Sequence, residues 1–246
     1  MMKTGRLRLL TYNVHCCIGR DGQLSPARVA AAIAELQPDV VALQELDVGR
    51  ARTQYANQTM LIAEALNMNW FFHPAYRAEN EHYGDAVLSY HPMKLVRAAH
   101  LPTLVNMPHL ERRGALWAAI DWNGFAIQLF VTHLGLVARE RLLQVDALLS
   151  PEWLGSPECQ APFVLCGDLN FVPGTRPYRR LCSVLRDPFP WHRLHVGTFP
   201  SGCPVLRIDH VLFSSRWVVH SVSVPRTRLT RIASDHLPLL VEASAT

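Results

Sequence analysis

The chain reads as an α/β protein, a single domain of packed sheets flanked by helices, and three observations predict it. Short continuous apolar runs of strand length alternate with stretches whose apolar residues recur at helical spacing. No internal repeat and no Gly/Ser-rich linker divides the 246 residues. An apolar content of 49% against 18% charged residues supplies a large core and argues against disorder.

The elements follow in order. Residues 7–14 form a buried strand. Ser25-Pro26 then opens a helix, serine as N-cap and proline at the first helical position, with Val29, Ile33 and Leu36 on its apolar face and Pro38 as its stop. Residues 40–43 are too short and too uniformly apolar for a surface helix, so they read as a buried strand. A second helix spans 58–66. Strands are expected near 84–90, 94–100, 114–121 and 124–132, with Asn123-Gly124 turning the last pair as a hairpin. Ala138, Leu142, Val145 and Leu149 share a face of a helix over 137–149. Residues 163–166 are another buried strand, 175–186 a helix, and 205–213, 216–224 and 236–242 strands. The proline- and aromatic-rich stretch 187–204 reads as irregular surface loop.

Composition narrows the function. The formal charge of +4 is too small to imply nucleic acid by itself, but Lys3 and Lys94 are the only lysines and arginine supplies the other 22 of 24 cations. Arginine's planar fork suits bidentate phosphate contacts, although a coding bias toward arginine explains the same count. The six cysteines have no regular spacing and no CxxC pair, which disfavours structural zinc and fits a reduced, cytoplasmic protein. The first residues run directly into a strand pattern without a signal-peptide core, and no stretch reaches the ~18 apolar residues of a transmembrane helix.

Polar signatures sit where apolar runs end. They are Gln44-Glu45, Thr132-His133, Gly167-Asp168-Leu169-Asn170, Ile208-Asp209-His210 and Ser234-Asp235-His236. Burying carboxylates and imidazoles is costly unless they are paired or bind a metal, so five such sets suggest convergence on one site. Acids, amides and imidazoles without a thiolate cluster favour a hard divalent cation and phosphate chemistry. Glu45 follows a strand, and its alternatives are a metal ligand or an acid bonded to a helix end or an arginine. Gly167 permits a sharp exit, and the spacing of Asp168 and Asn170 points both the same way, unless they merely form an Asx turn. Ser234-Asp235-His236 is no serine-hydrolase triad, because three consecutive residues cannot form that relay and no GxSxG elbow exists. Asp235 and His236 instead act separately at the start of the final strand, with Asp209 holding His236 in one tautomer as a carboxylate–imidazole dyad. His133 and Asn13 end strands in the same manner. His192 and His195 lack a metal-site pattern, and His73, His82, His91, His100, His109 and His220 read as loop or surface residues.

Taken in order, Asn13, Gln44-Glu45, Tyr83-Gly84-Asp85-Ala86, Thr132-His133-Leu134, Gly167-Asp168-Leu169-Asn170, Ile208-Asp209-His210 and Ser234-Asp235-His236-Leu237-Pro238 resemble the endonuclease/exonuclease/phosphatase superfamily of metal-dependent phosphoesterases. The resemblance covers nearly the whole chain and is closest to the compact bacterial members. It implies a four-layer α/β/β/α sandwich of two facing sheets flanked by helices, with the site at one edge. It implies Mg2+ or Mn2+ held chiefly by Glu45 with Asn13 and Asp235 nearby. Asp85 stands where many relatives carry asparagine and receives no catalytic role; His210 stands where several nuclease branches have an aromatic, which leaves the branch open.

The chemistry expected is hydrolysis of a phosphate ester by in-line attack of water. Asp168 or the Asp209–His236 pair activates the water, and Asn170 and His133 contact the phosphoryl oxygens. Arginines gather near the site; Arg50, Arg113, Arg176 and Arg228 are the substrate-binding candidates, and Tyr55, Tyr76, Tyr178 and Trp191 are candidates to stack on bases. The expected substrate is nucleic acid, DNA first, with phospholipid headgroups or small phosphate esters as the alternative and a non-catalytic phosphate-binding protein as a third option. No protein partner is expected.

Overall fold

Period-two alternation along the first strand, β1 (Leu7–Asn13), builds the core on both of its faces. Leu7 and Leu9 point into a cluster shared with a second sheet, while Leu10 and Tyr12 point the other way, beneath helices. The structure, a computed structural model, describes residues 5–189 and 196–246.

Six strands form one mixed sheet in the order β10 (Trp217–Ser223), β11 (Leu239–Ala245), β1, β2 (Val40–Val48), β4 (Glu81–Ser89), β3 (Asn69–Ala78). Five form the other, in the order β5 (Met93–His100), β6 (Gly114–Trp122), β7 (Phe125–Thr132), β8 (Phe163–Asp168), β9 (Asp209–Phe213). Val40, Val87 and Val241 of the first sheet meet Leu116, Val131, Val164 and Val211 of the second in a dry core. Helices α1 (Pro26–Leu36) and α2 (Gln58–Leu66) cover the first sheet through Val29, Ile33, Ile62 and Leu66. Helices α3 (Ala138–Leu148) and α4 (Arg176–Leu181) cover the second through Val145, Leu148 and Leu181. The result is the α/β/β/α sandwich; each fully buried leucine in it contributes about 1.5–3 kcal/mol.

Parallel pairs fix where the chemistry lies. β1 runs parallel to β2, and β7 parallel to β8, so the carboxyl ends of each pair emerge together. β9 is antiparallel to β8 and places Asp209 directly opposite Asp168.

Local signals explain most boundaries. Ser25 Oγ accepts from the Arg28 N–H at 3.2 Å, and Gln37, in the left-handed region, ends α1 ahead of Pro38. Asn123 and Gly124 both have positive φ, as a two-residue hairpin turn requires.

Several expectations need correction. The strand at 40–43 continues to Val48 through a bulge between Leu43 and Leu46. β3 was not expected, because Pro74 argues against a strand; it is an edge strand and a register shift falls between Pro74 and Tyr76, which accommodates the proline. The buried face of α3 is Glu140, Gln144, Val145 and Leu148, with Ala138 exposed. Gln144 Oε1 there accepts from the Gly135 N–H at 2.8 Å, so a polar residue holds the inner face. α4 ends at Leu181 rather than 186, and the last strand begins at Leu239 rather than 236, which leaves His236 ahead of it. A one-turn helix, α5 (Thr230–Ala233), precedes that segment. His73 lies in β3, buried beside His100 with ring centroids 5.7 Å apart. Trp191, His192 and His195 lie outside the described residues.

Candidate active site

The carboxyl ends of β1 and β2 bring Asn13 and Glu45 together. Glu45 occupies the bulge of β2 with φ 62°, a left-handed conformation that turns its side chain out of the strand's alternation. Asn13 Nδ2 then donates to Glu45 Oε1 at 2.9 Å and to Asp168 Oδ2 at 3.0 Å, joining the two sheets across the edge of the sandwich.

Asp168 is the hub. Its Oδ2 lies 3.4 Å from His133 Nε2 and 3.6 Å from His236 Nε2. Its Oδ1 accepts from the Asn170 N–H at 2.9 Å, so the Asx turn and the shared orientation of the two side chains coexist. Gly167 makes this possible: its φ of 141° is open to glycine, and a Cβ there would drive into the Thr132 carbonyl oxygen. The close approach seats Asp168 beside His133.

On the far side, His236 Nδ1 bonds Asp209 Oδ2 at 2.9 Å. Ser234 Oγ donates to the Asn13 carbonyl at 2.7 Å and accepts from the His236 N–H at 3.1 Å, pinning the segment ahead of β11 to the end of β1. His133 is fixed from behind by Arg113, whose Nη1 lies 2.9 Å from its Nδ1. A guanidinium only donates, so Nδ1 is the acceptor and the imidazole proton resides on Nε2, facing Asp168. The Asn170 amide sits 3.0 Å from that Nε2 and donates to the Leu134 carbonyl at 2.8 Å.

Electrostatics separate the two histidines. Burial lowers the His133 pKa well below its ordinary value, and Arg113 and His236 push the same way, so it is neutral. Burial also opposes charge on His236, but Asp209, through both its charge and its hydrogen bond, then Asp168 and Asp235, outweigh it and hold the pKa up at about 10. Burial, then the charge of Asp209, raises Asp168 against the pull of His236 and Asn13. Burial pushes Asp85 up to about 8, with Arg113 opposing and Glu45 and Asp168 reinforcing the rise.

These observations also test whether a cation fits. Ligand atoms of Asp168, Asp209 and His236 lie within 4.8 Å of one another, and buried Asp209 Oδ1 has no hydrogen-bond partner. Buried carboxylates outnumber nearby positive charges, as the raised Asp85 and Asp168 register, and the donors are oxygen and imidazole nitrogen. A hard divalent cation suits that set.

The remaining expected residues fall in different places. Asp235 is half-exposed, 3.3 Å from Ser234 Oγ and 4.0 Å from His15 Nδ1, whose own N–H donates to Asn13 Oδ1 at 3.1 Å. Arg50 faces Asp47 and Glu81 at 3.7 and 3.5 Å and lies over the Tyr76 ring. Arg113 is buried in the network rather than facing solvent. Arg176 is exposed on α4, and Arg228 is exposed ahead of α5. Tyr55 is exposed, whereas Tyr178 packs on Phe171 and His210. Sequence reasoning missed Ser234 as a brace, Arg113 as the partner of His133, and the burial of Asp85. Only the charge reversal at Arg113, following an apolar-poor loop and preceding β6, marked that position.

A model of the Endonuclease/Exonuclease/phosphatase family matches residues 10–236. The chain belongs to that family. Exodeoxyribonuclease III of Haemophilus influenzae is 25% identical over 283 residues, covering 96% of this chain and 99% of the relative. Among solved structures, an endonuclease/exonuclease/phosphatase from Beutenbergia cavernae superposes with TM-score 0.72 at 23% identity, covering 98% of this chain and 72% of that one. The mannosyl-6-phosphatase Bt3783 of Bacteroides thetaiotaomicron gives TM-score 0.75 at 19% identity, covering 97% and 99%. The chain is thus a phosphoesterase of the Endonuclease/Exonuclease/phosphatase family with a candidate metal site at the joined sheet edges. Among the described residues, no helix is long and apolar enough to cross a membrane.

Proposed function

We propose that this protein hydrolyses phosphodiester bonds of nucleic acid, DNA first, with bound Mg2+ or Mn2+. The observation that carries the reading is the unbroken line of contacts Glu45–Asn13–Asp168–His236–Asp209, with His133 and Asn170 on its flank. Glu45 and Asn13 hold the cation, with Asp235 at its margin. A divalent ion in this position neutralises phosphoryl charge and stabilises the departing oxyanion.

The protein groups divide the remaining work. His236, kept protonated by Asp209, presents Nε2–H to a phosphoryl oxygen and steadies the charge that grows on it. A protonated imidazole cannot accept a proton, so Asp168 is the group that orients water and accepts its proton as the new P–O bond forms and the ester P–O bond breaks. Asn170 and the Nε2–H of neutral His133 donate to the phosphoryl oxygens. The whole-length likeness to exodeoxyribonuclease III supports DNA as the first substrate to test.

A second reading, hydrolysis of a small phosphate ester or lipid headgroup, is favoured by the likeness to mannosyl-6-phosphatase over nearly the same length. Purified protein assayed on DNA, RNA, phospholipid vesicles and sugar phosphates, with Mg2+, Mn2+ or a chelator, decides between them. Metal-dependent cleavage of DNA supports the first reading, and turnover of sugar phosphate or phospholipid alone replaces it with the second.

A further inference from the structure

A depression beside the His236 face of the site is walled by arginine. Arg20, Arg226, Arg228 and Arg231, with Ile232, enclose about 450 Å³. All four arginines are exposed, and none is paired with a carboxylate among the described residues. Elsewhere the chain neutralises its arginines: Arg28, Arg50, Arg52, Arg113 and Arg207 each reach a carboxylate. Four like charges around one hollow repel one another, and an anion within it relieves that repulsion.

The hollow is mechanically joined to the active site. The Arg20 N–H donates to the Ile232 carbonyl at 2.9 Å, and the Arg20 guanidinium rests on Gly202, where a Cβ would come within 2.5 Å of Nη2. Next to Gly202, Ser201 donates through its N–H to the Asp235 carbonyl at 2.6 Å and through Oγ to the Ser234 carbonyl at 2.7 Å. Two residues earlier, the half-buried Phe199 ring lies 4.8 Å from the His236 ring. Ile232 stands three residues before Asp235, so the arginine wall lies within about 11 Å of the site at ~3.5 Å per residue. That is roughly three phosphate steps of a stacked strand.

We propose that the arginine cleft is a subsite for a non-scissile phosphate of a single-stranded nucleic acid whose scissile phosphate sits at His236. Phe199 offers its ring to the intervening nucleotide. The proposal rests on the phosphodiesterase reading above and adds where the rest of the strand lies. An aromatic ring beside a positive groove is the combination that holds single strands without reading sequence.

The test compares wild type with the triple variant Arg226→Gln, Arg228→Gln, Arg231→Gln, its folding checked by thermal melting. Binding of a fluorescein-labelled oligothymidylate is followed by anisotropy across a salt series. The variant is expected to bind at least 10-fold more weakly at physiological salt, with the log–log salt slope reduced by about 2, or ~0.7 for each arginine–phosphate pairing removed. In turnover, the gain in kcat/KM from a dinucleoside monophosphate to a trinucleoside diphosphate is expected in wild type and abolished in the variant. Equal slopes and equal gains in the two proteins would overturn the subsite. Arginine-dependent binding of phosphatidylglycerol vesicles without oligonucleotide binding would overturn the strand as its occupant. Turnover of bis(p-nitrophenyl) phosphate separately reports the core reaction: its absence would count against the phosphodiesterase reading, while the binding slopes still judge the cleft.

Discussion

Replacing Asp209 by asparagine removes the charge that keeps His236 protonated while leaving the side chain's shape. In the folded protein the pKa of His236 is held up at about 10, against an ordinary value of 6.5. That gap corresponds to about 5 kcal/mol of preference for the charged imidazole. Burial opposes the charge, Asp209 contributes both the largest favourable charge and a 2.9 Å hydrogen bond, and Asp168 and Asp235 supply the rest. Without Asp209 the pKa should fall to about 8 or below, a loss of ~3 kcal/mol. The sign of the linked stability follows. The folded value lies above the unfolded one, so the contribution is complete below pH 6.5 and disappears as pH rises through about 10. Titration of the His236 ring by NMR in metal-free protein measures the shift directly, and steady-state kinetics at neutral pH should show kcat lower by roughly 10²–10⁴-fold. An unchanged His236 titration in Asp209→Asn would refute the reasoning, and so would full activity in a variant whose imidazole had become neutral.

Other outcomes follow from the same geometry. Gly167→Ala forces a Cβ into the Thr132 carbonyl and should cost about 3 kcal/mol or more and displace Asp168, whereas Gly174→Ala, with positive φ but open space around it, should cost only ~1 kcal/mol; paired denaturant melts check this. Burial, with nearby His100 and Arg77, pushes His73 down to about 4, so folding stability is lost as pH falls from 6.5 toward that value. His73→Phe should recover about 1 kcal/mol at pH 5.5, as read from urea midpoints against pH. Mn2+ should raise the Tm of wild type and leave Glu45→Gln nearly unmoved; equal shifts in both proteins would remove Glu45 from the cation site.

Particular residues show what a linear reading can and cannot reach. The helix at 26–36 was legible because Ser25, Pro26 and Pro38 mark its ends chemically, and the hairpin at Asn123-Gly124 because few residues accept positive φ. Asn13, Glu45, His133, Asp168, Asp209 and His236 stood out because polar groups closing apolar runs need a reason to be there. What escaped depends on neighbours distant in the chain. β3 tolerates Pro74 only because it is an edge strand with a shifted register, and the buried face of α3 is polar only because Gln144 meets Gly135. Ser234 braces Asn13 from 221 positions away, and Arg113 reaches His133 across the β6–β7 pair. Neither interaction leaves a trace in local pattern. Asp85 looked incidental because only three-dimensional packing shows it sharing buried space with Glu45 and Asp168.

The central claim is that groups from β1, β2, β8 and the segment before β11 hold one divalent cation where the two sheets join. Crystals grown with Mn2+ and measured at the manganese absorption edge test this most directly. An anomalous peak touching Glu45, beside Asn13 and Asp168, is the predicted result. A saturating soak that left that position empty, or placed manganese elsewhere on the molecule, would contradict it.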